Sequence, residues 1–393
     1  MRPESITWER AAEVRAAADG WRRAGAIDGP THDAIRRAYP DPCVTPSAVW
    51  RVLTAVMVTI VVLCALGAVA VTTRPREPGF TVLLWLFGAA CVVATEYMEA
   101  SPRLARRGVA GAASSCGIVL FLAGLGLFLH VVLAIGGDAA FDALLLASAL
   151  TWAAGAWRWG SPLFAGLSAA SLFVLLARLP FGRVVWVIVG SALVGLATPR
   201  LDDGALAPSH RRAATVVLLA GIAAVYVALN VYSLDQGALE SLRRFAPQRV
   251  PSTAAFAVAA VATAVLPVVI LVWAWRSRRT VLFGAGIVLL ALSLATLRDY
   301  AHVAPLWTVL SVSGTALIAL ALAGERALRR APGGERAGFT LDARDSDERQ
   351  RPLLQVIAVA GTLTPGPVAP GSAEKGFAPG GGASGGGGAS GQF

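Results

Sequence analysis

At 393 residues, with 56% hydrophobic and 15% charged side chains, the chain carries too few charges to solvate a globule of its size, because soluble domains hold about 25% charged residues. Its formal charge of +10 comes almost wholly from Arg, and that Arg sits in short clusters between apolar runs, the distribution that sets membrane orientation. No basic stripe with an aromatic platform accompanies it, which argues against a nucleic-acid partner.

Residues 1–48 are charged and lack the apolar core of a signal peptide. Within them, residues 4–24 predict an amphipathic helix. Ala11, Val14, Ala18 and Trp21 recur at helical spacing with Arg10, Arg15, Arg22 and Arg23 around them. Gly25 ends it, and Asp28-Gly29-Pro30 opens a second short helix. Ile35 and Tyr39 of that helix are placed to pack on Trp21 and Ile27. Pro40, Pro42 and Pro46 then break the chain. A cytoplasmic helical hairpin over 1–48 is the plain expectation, and a partner-binding module the sharper one.

Ten stretches follow that are long and apolar enough to cross a bilayer: roughly 51–71, 80–98, 112–135, 139–157, 161–179, 183–198, 213–234, 252–275, 280–296 and 303–324. The sixth is short and the ninth marginal. The expected fold class is therefore an all-α integral membrane protein, with a transmembrane bundle over 49–324. Of the 34 Lys and Arg, only Arg74, Arg76, Arg178, Arg183, Arg243, Arg244, Arg249 and Arg298 fall on the side opposite the termini. This asymmetry predicts both termini in the cytoplasm and, for a bacterial cell, residence in the inner membrane. The loop at 235–251 dissents with three Arg. Leu239, Leu242 and Phe245 beside them suggest an interfacial helix. After Gly324 comes a charged linker, and the Pro-, Gly- and Ser-rich end predicts a disordered tail within 325–393.

The hairpin sequence WRRAGAIDGPTHDAIRRA at 21–38 resembles the "helix, Gly-Leu-Ile, turn, second helix" opening of bacterial membrane proteins grouped as domain of unknown function 2157, with Ala26 in place of the usual Leu. GIVLFLAGLGLFLH at 117–130 and TWAAGAWRWGSPLFAGLSAASLF at 151–173 are similar to that group's alternation of spans and short turns. The likeness covers roughly residues 8–180. It implies a multi-pass membrane fold; the group carries no established catalytic residues, so no chemistry transfers.

Enzyme motifs are missing: there is no HExxH, GxSxG or P-loop. Gly124-Leu125-Gly126 and Gly284-Ala285-Gly286 lie inside apolar runs and read as packing glycines, as does Ser191-xxx-Gly195. Cys43, Cys64, Cys91 and Cys116 match no zinc spacing, so neither metal nor cofactor is expected. Ionisable residues inside spans are costly and carry more weight. Glu96, Glu99 and Arg103 predict an interfacial ion-pair cluster at the inner end of the second span. His130, Asp142, Arg178, Asn230 and His302 all fall near the outer surface. They are either helix-end residues that reach for water or, if they converge, a pocket for a small polar or anionic ligand, with Arg178 paired to Asp142 and His130 able to change charge near neutral pH. Pro267 should bend the eighth span.

Three functions compete. The first is a structural or regulatory protein that binds the bilayer and a protein partner through 1–48 or 325–393. The second is a transporter of a small polar or anionic solute, which would want ionisable groups at mid-depth. The third is a membrane enzyme acting on a lipid-linked substrate.

Overall fold

The computed structural model describes residues 3–23, 25–40, 48–100, 109–239, 252–301, 306–330, 335–336 and 339–340. Helices α1 (Pro3–Arg23) and α2 (Gly29–Ala38) form the hairpin. The apolar stretches become α3 (Ala48–Thr73), α4 (Glu77–Glu99), α5 (Val109–Leu127, continued by a π-helical turn at Phe128–Val132), α6 (Gly137–Trp159), α7 (Pro162–Ala177), α8 (Gly182–Asp202), α9 (Pro208–Leu229), the single turn α10 (Val231–Asp235), α11 (Thr253–Ser277), α12 (Thr280–Ala301) and α13 (Leu306–Arg329). A two-residue antiparallel pair, β1 (Glu335–Arg336) and β2 (Phe339–Thr340), follows. The expected interfacial helix within 235–251, all but its first residues, and the tail from 341 onward lie outside the described residues.

Among the described residues eight helices are long and apolar enough to cross a membrane: α3, α4, α5, α6, α8, α9, α11 and α12. The chain is a multi-pass helical membrane protein. The short element is not the one expected. The sixth stretch extends to 21 residues in α8, whereas the fifth, α7, has only 16. At 1.5 Å per residue α7 reaches about 24 Å, less than the hydrocarbon thickness. Ser161 and Pro162 fix its start where the stretch begins, and it closes at Ala177, before Arg178 and Leu179 of the expected run. The Ser161 hydroxyl accepts from the Phe164 N–H at 3.5 Å and proline fills the first turn.

Consecutive helices pair as hairpins, α4 with α5, α6 with α7, α8 with α9 and α11 with α12, and α7 also packs on α9. Two of these pairs close on glycine. A Cβ on Gly117 would stand 2.9 Å from the Gly88 carbonyl oxygen, and one on Gly221 would stand 2.7 Å from that of Gly190. Backbones this close exclude any side chain, the small-residue contact that replaces hydrophobic drive inside lipid. The expected Ser191-xxx-Gly195 contact is not the one used: Gly195 faces open space, and so does Gly284. Gly124 does pack, against the Trp85 indole, and Gly286 against Leu271.

Helix α9 is the centre of the bundle. Its Leu218, Ile222 and Tyr226 meet Ile270 and Ala274 of α11 and Leu282 and Leu289 of α12. Within its most apolar window 44% of residues are buried, against 6% for α3, so α3 is the rim helix. Pro267 is fully buried within the continuous α11.

Polar contacts sort the helix ends into two sets, as an up-and-down bundle requires. At the hairpin end, Arg158 at the close of α6 meets Glu96 at the close of α4, His210 at the start of α9 meets the Trp157 carbonyl, and Arg279 pairs with Asp202. At the far end, Arg178 at the close of α7 meets the start of α6, and Tyr300 near the close of α12 donates to Asp235.

Candidate functional site

Polar groups close the hairpin, whose Ile35 and Tyr39 were expected to pack on Trp21 and Ile27. Trp21 and Tyr39 are half exposed, while His32 is buried and holds both helices. Its Nε2 lies 2.7 Å from Asp19 Oδ1, its Nδ1 3.0 Å from Arg22 Nη1, and Arg15 donates to the Tyr39 carbonyl at 2.7 Å. Asp28 caps α2 by accepting from the Thr31 N–H at 3.0 Å, and hydrogen bonds from the Thr31 side chain and backbone lower its carboxyl from the ordinary value.

Helix α1 is bonded to the bundle at the entrance of α9. Glu9 accepts from the Ser209 N–H at 3.0 Å and so caps α9, whose own start carries no side-chain cap. Arg10 donates to the carbonyls of Gly204 and Ala205 at 3.0 and 2.8 Å, and Glu13 pairs with Arg211 at 2.6 Å. Beside these contacts lies a groove of about 330 Å³ between α1 and the α8–α9 turn. Sequence periodicity exposed α1 as amphipathic, but the partner of its polar face was not legible, because the contacts join residues about 200 positions apart.

Of the expected ion-pair cluster, Glu96 is engaged by Arg158 at 2.5 Å and by the Trp159 indole N–H at 3.1 Å, both on α6. Glu99 lies at the last position of α4, and Arg103 lies outside the described residues.

Of the five residues that would line one pocket if they converged, the structure joins Asp142 to Arg178 and places Asn230 in other surroundings. Arg178 bonds Asp142 through Nε and Asp138 through Nη2 at 2.8 Å, with its guanidinium 5.2 Å from the Phe141 ring centre. His130, on the π-helical turn, is exposed, and no hydrogen bond joins it to them among the described residues. His302 lies outside the described residues. Asn230 belongs to a different, buried network at the break between α9 and α10. Its Nδ2 donates to the Tyr226 hydroxyl at 3.0 Å, and its Oδ1 accepts from the N–H groups of Tyr232 and Ser233 at 3.0 and 3.2 Å. Tyr226 and Ser293 hydroxyls lie 3.0 Å apart, and Thr263 accepts from the Val231 N–H at 3.0 Å while donating to the Ala259 carbonyl. Arg183 closes the break from α8, donating to the carbonyls of Ala228 and Ser233. Thr263, Ser293 and Arg183 were not singled out in sequence; single hydroxyls in apolar runs usually bond their own helix, and nothing in the pattern marks these two.

No group of His, Cys, Asp and Glu able to hold a metal occurs among the described residues. The chain matches no family model, no curated protein and no solved structure.

Proposed function

We propose that this is a structural or regulatory protein of a bacterial inner membrane, with about ten spans and both termini in the cytoplasm, and that it acts by binding a protein partner through 1–48 or 325–393. Eight apolar helices, the helical final stretch at α13 and the short α7 support that count, and the Arg asymmetry supports the orientation. The resemblance to the domain of unknown function 2157 group points the same way. The observation that carries the reading is the docking of α1. Glu9, Arg10 and Glu13 fix a water-exposed module to the central helix of the bundle, so an event at the hairpin has a direct mechanical route to the spans. The spans themselves offer little to an ion-coupled carrier: the charged residues of the eight helices stand within their first or last two turns.

One observation favours transport of a small polar solute instead. The α9–α10 break sits among Asn230, Tyr226, Thr263 and Ser293, and broken helices line solute sites in transporters. Here Tyr226 bonds both Asn230 and Ser293, and Thr263 bonds the backbone of Val231 and Ala259.

Purification of the intact protein from its own membranes, beside a form lacking residues 1–47, tests the choice. A stoichiometric protein partner lost with the hairpin supports the proposal. Solute counterflow in proteoliposomes without any partner would replace it by the transporter.

A further inference from the structure

The groove between α1 and the α8–α9 turn combines three features that a purely structural contact does not need. Its lining includes Arg10, Glu13, Val14, Trp21, Gly204 and Arg211. The two arginines outnumber the one carboxylate, and exposed Arg212 follows directly on α9. Arg211 commits Nη2 to Glu13, yet its Nε–H is buried with no acceptor, one of two such side-chain atoms among the described residues. A buried guanidinium N–H without an acceptor is costly, and an oxyanion would satisfy it.

The position of the groove selects the source of that oxyanion. Its floor is the turn between two spans, so it opens at the level where a bilayer's headgroups lie. Val14 gives it an apolar side, and Trp21, 50% exposed, stands at its edge with the amphipathic ring that favours this level. Basic pockets at span ends recognise anionic headgroups through such arginines.

We propose that this groove binds the phosphodiester headgroup of an anionic phospholipid, with Arg10 and Arg211 as the phosphate ligands and Trp21 packing on the glycerol region. It depends on the membrane placement and not on the protein partner proposed above. The lipid would bridge α1 and α9 beside the Glu13–Arg211 pair, adding to the hold of the hairpin on the bundle.

The test uses the full chain in nanodiscs of phosphatidylcholine alone or mixed with phosphatidylglycerol. Native mass spectrometry after extraction counts retained lipid, and hydrogen exchange follows residues 10–21. The wild type should retain phosphatidylglycerol in preference and show added protection over 10–21 in its presence. Val14→Trp fills the groove while keeping both arginines and should abolish the preference. Arg211→Gln should weaken retention roughly fivefold, the effect of one basic residue at an anionic surface. Equal retention of the two lipids by the wild type, or unchanged preference in both variants, overturns the proposal. If inorganic phosphate protects 10–21 as well as the lipid does and no lipid preference exists, the occupant is a free phosphate and the lipid assignment fails. Should Val14→Trp release the hairpin, seen as protease sensitivity of residues 1–47, the wild-type comparison between the two lipids decides.

Discussion

At the far end of the bundle, the buried polar groups answer one another. Asn230 spends its amide on Tyr226 and its carbonyl on two backbone N–H groups, Thr263 takes the N–H of Val231, and Arg178 is held between two aspartates. At the hairpin end, the same residue types are spent across the seam between α1 and the bundle. Glu9 and Glu13 of α1 serve α9, and Arg211 keeps an N–H without an acceptor. The first arrangement fixes the end of a broken helix where water is scarce and unpaired groups cost most. The second faces water, where each contact contributes little and can be exchanged for another. One end is built to stay closed and the other to be contacted.

Both ends hang on the α8–α9 crossing, so the largest effect comes from breaking it. Gly221→Val should cost about 3 kcal/mol or more, since even a Cβ meets the Gly190 carbonyl oxygen at 2.7 Å and backbone cannot swing aside. Thermal unfolding in detergent should show the loss, and both ends should loosen together. Gly195→Val, on the same hairpin but facing open space, should change little. Equal effects would mean that the glycine crossing does not organise the bundle.

The far end should respond next. Asn230→Ala strands the Tyr232 and Ser233 N–H groups and one partner of Tyr226, for about 2 kcal/mol. Thr263→Val, close in shape, leaves the buried Val231 N–H without its acceptor, for about 1–3 kcal/mol. If Thr263→Val is neutral in thermal unfolding, the break is held by Asn230 and Arg183 without it and the far end is less closed than its bonding suggests.

Much of this was legible in sequence, for reasons that also mark where legibility stops. Long apolar runs cannot be anything but spans, so eight described helices fall on expected stretches. Length within a run is less secure. The Ser161-Pro162 cap signal opens α7 where the apolar stretch begins, but the helix closes at Ala177, before the Arg178 and Leu179 that composition alone includes. Span-end charges announce themselves by their cost, but their partners do not. Arg178 and Asp142 lie 36 residues apart on adjoining helices, whereas Asn230 looked like one of the same set and instead turned inward to Tyr226. Helical phase decides which way such a residue faces, and a span hydrophobic all round carries almost no phase information. The hairpin seam is harder still, because Glu9 and Ser209 share no local pattern.

The hairpin end should give a smaller effect on stability with a larger one on exposure. Glu9→Ala with Glu13→Ala removes the α9 cap and the Arg211 pair, both at the water-facing seam. Bundle unfolding should shift by no more than about 1 kcal/mol, while protease cleavage of the hairpin from intact protein should speed up several-fold. Cleavage at the wild-type rate would show that α1 is held by contacts other than these carboxylates, and a large fall in bundle stability would make the seam part of the closed architecture.

The smallest expected effect is a pH dependence confined to the hairpin. The hydrogen bond from Thr31 favours ionised Asp28, so its carboxyl is lower in the folded hairpin than in the unfolded chain. The cap's contribution is therefore fully present above the unfolded value and is lost as pH falls through the lowered folded one. Protection factors over Gly29–Ala38, corrected for the pH dependence of intrinsic exchange, should fall on acidification through that window, and Asp28→Asn, which can still accept from Thr31, should flatten the dependence while keeping the helix. Protection of the Val231 and Ser233 amides at the α9–α10 break should not follow, since their acceptors Thr263 and Asn230 carry no charge to titrate. A matching change there would tie the two ends together and remove the contrast between them.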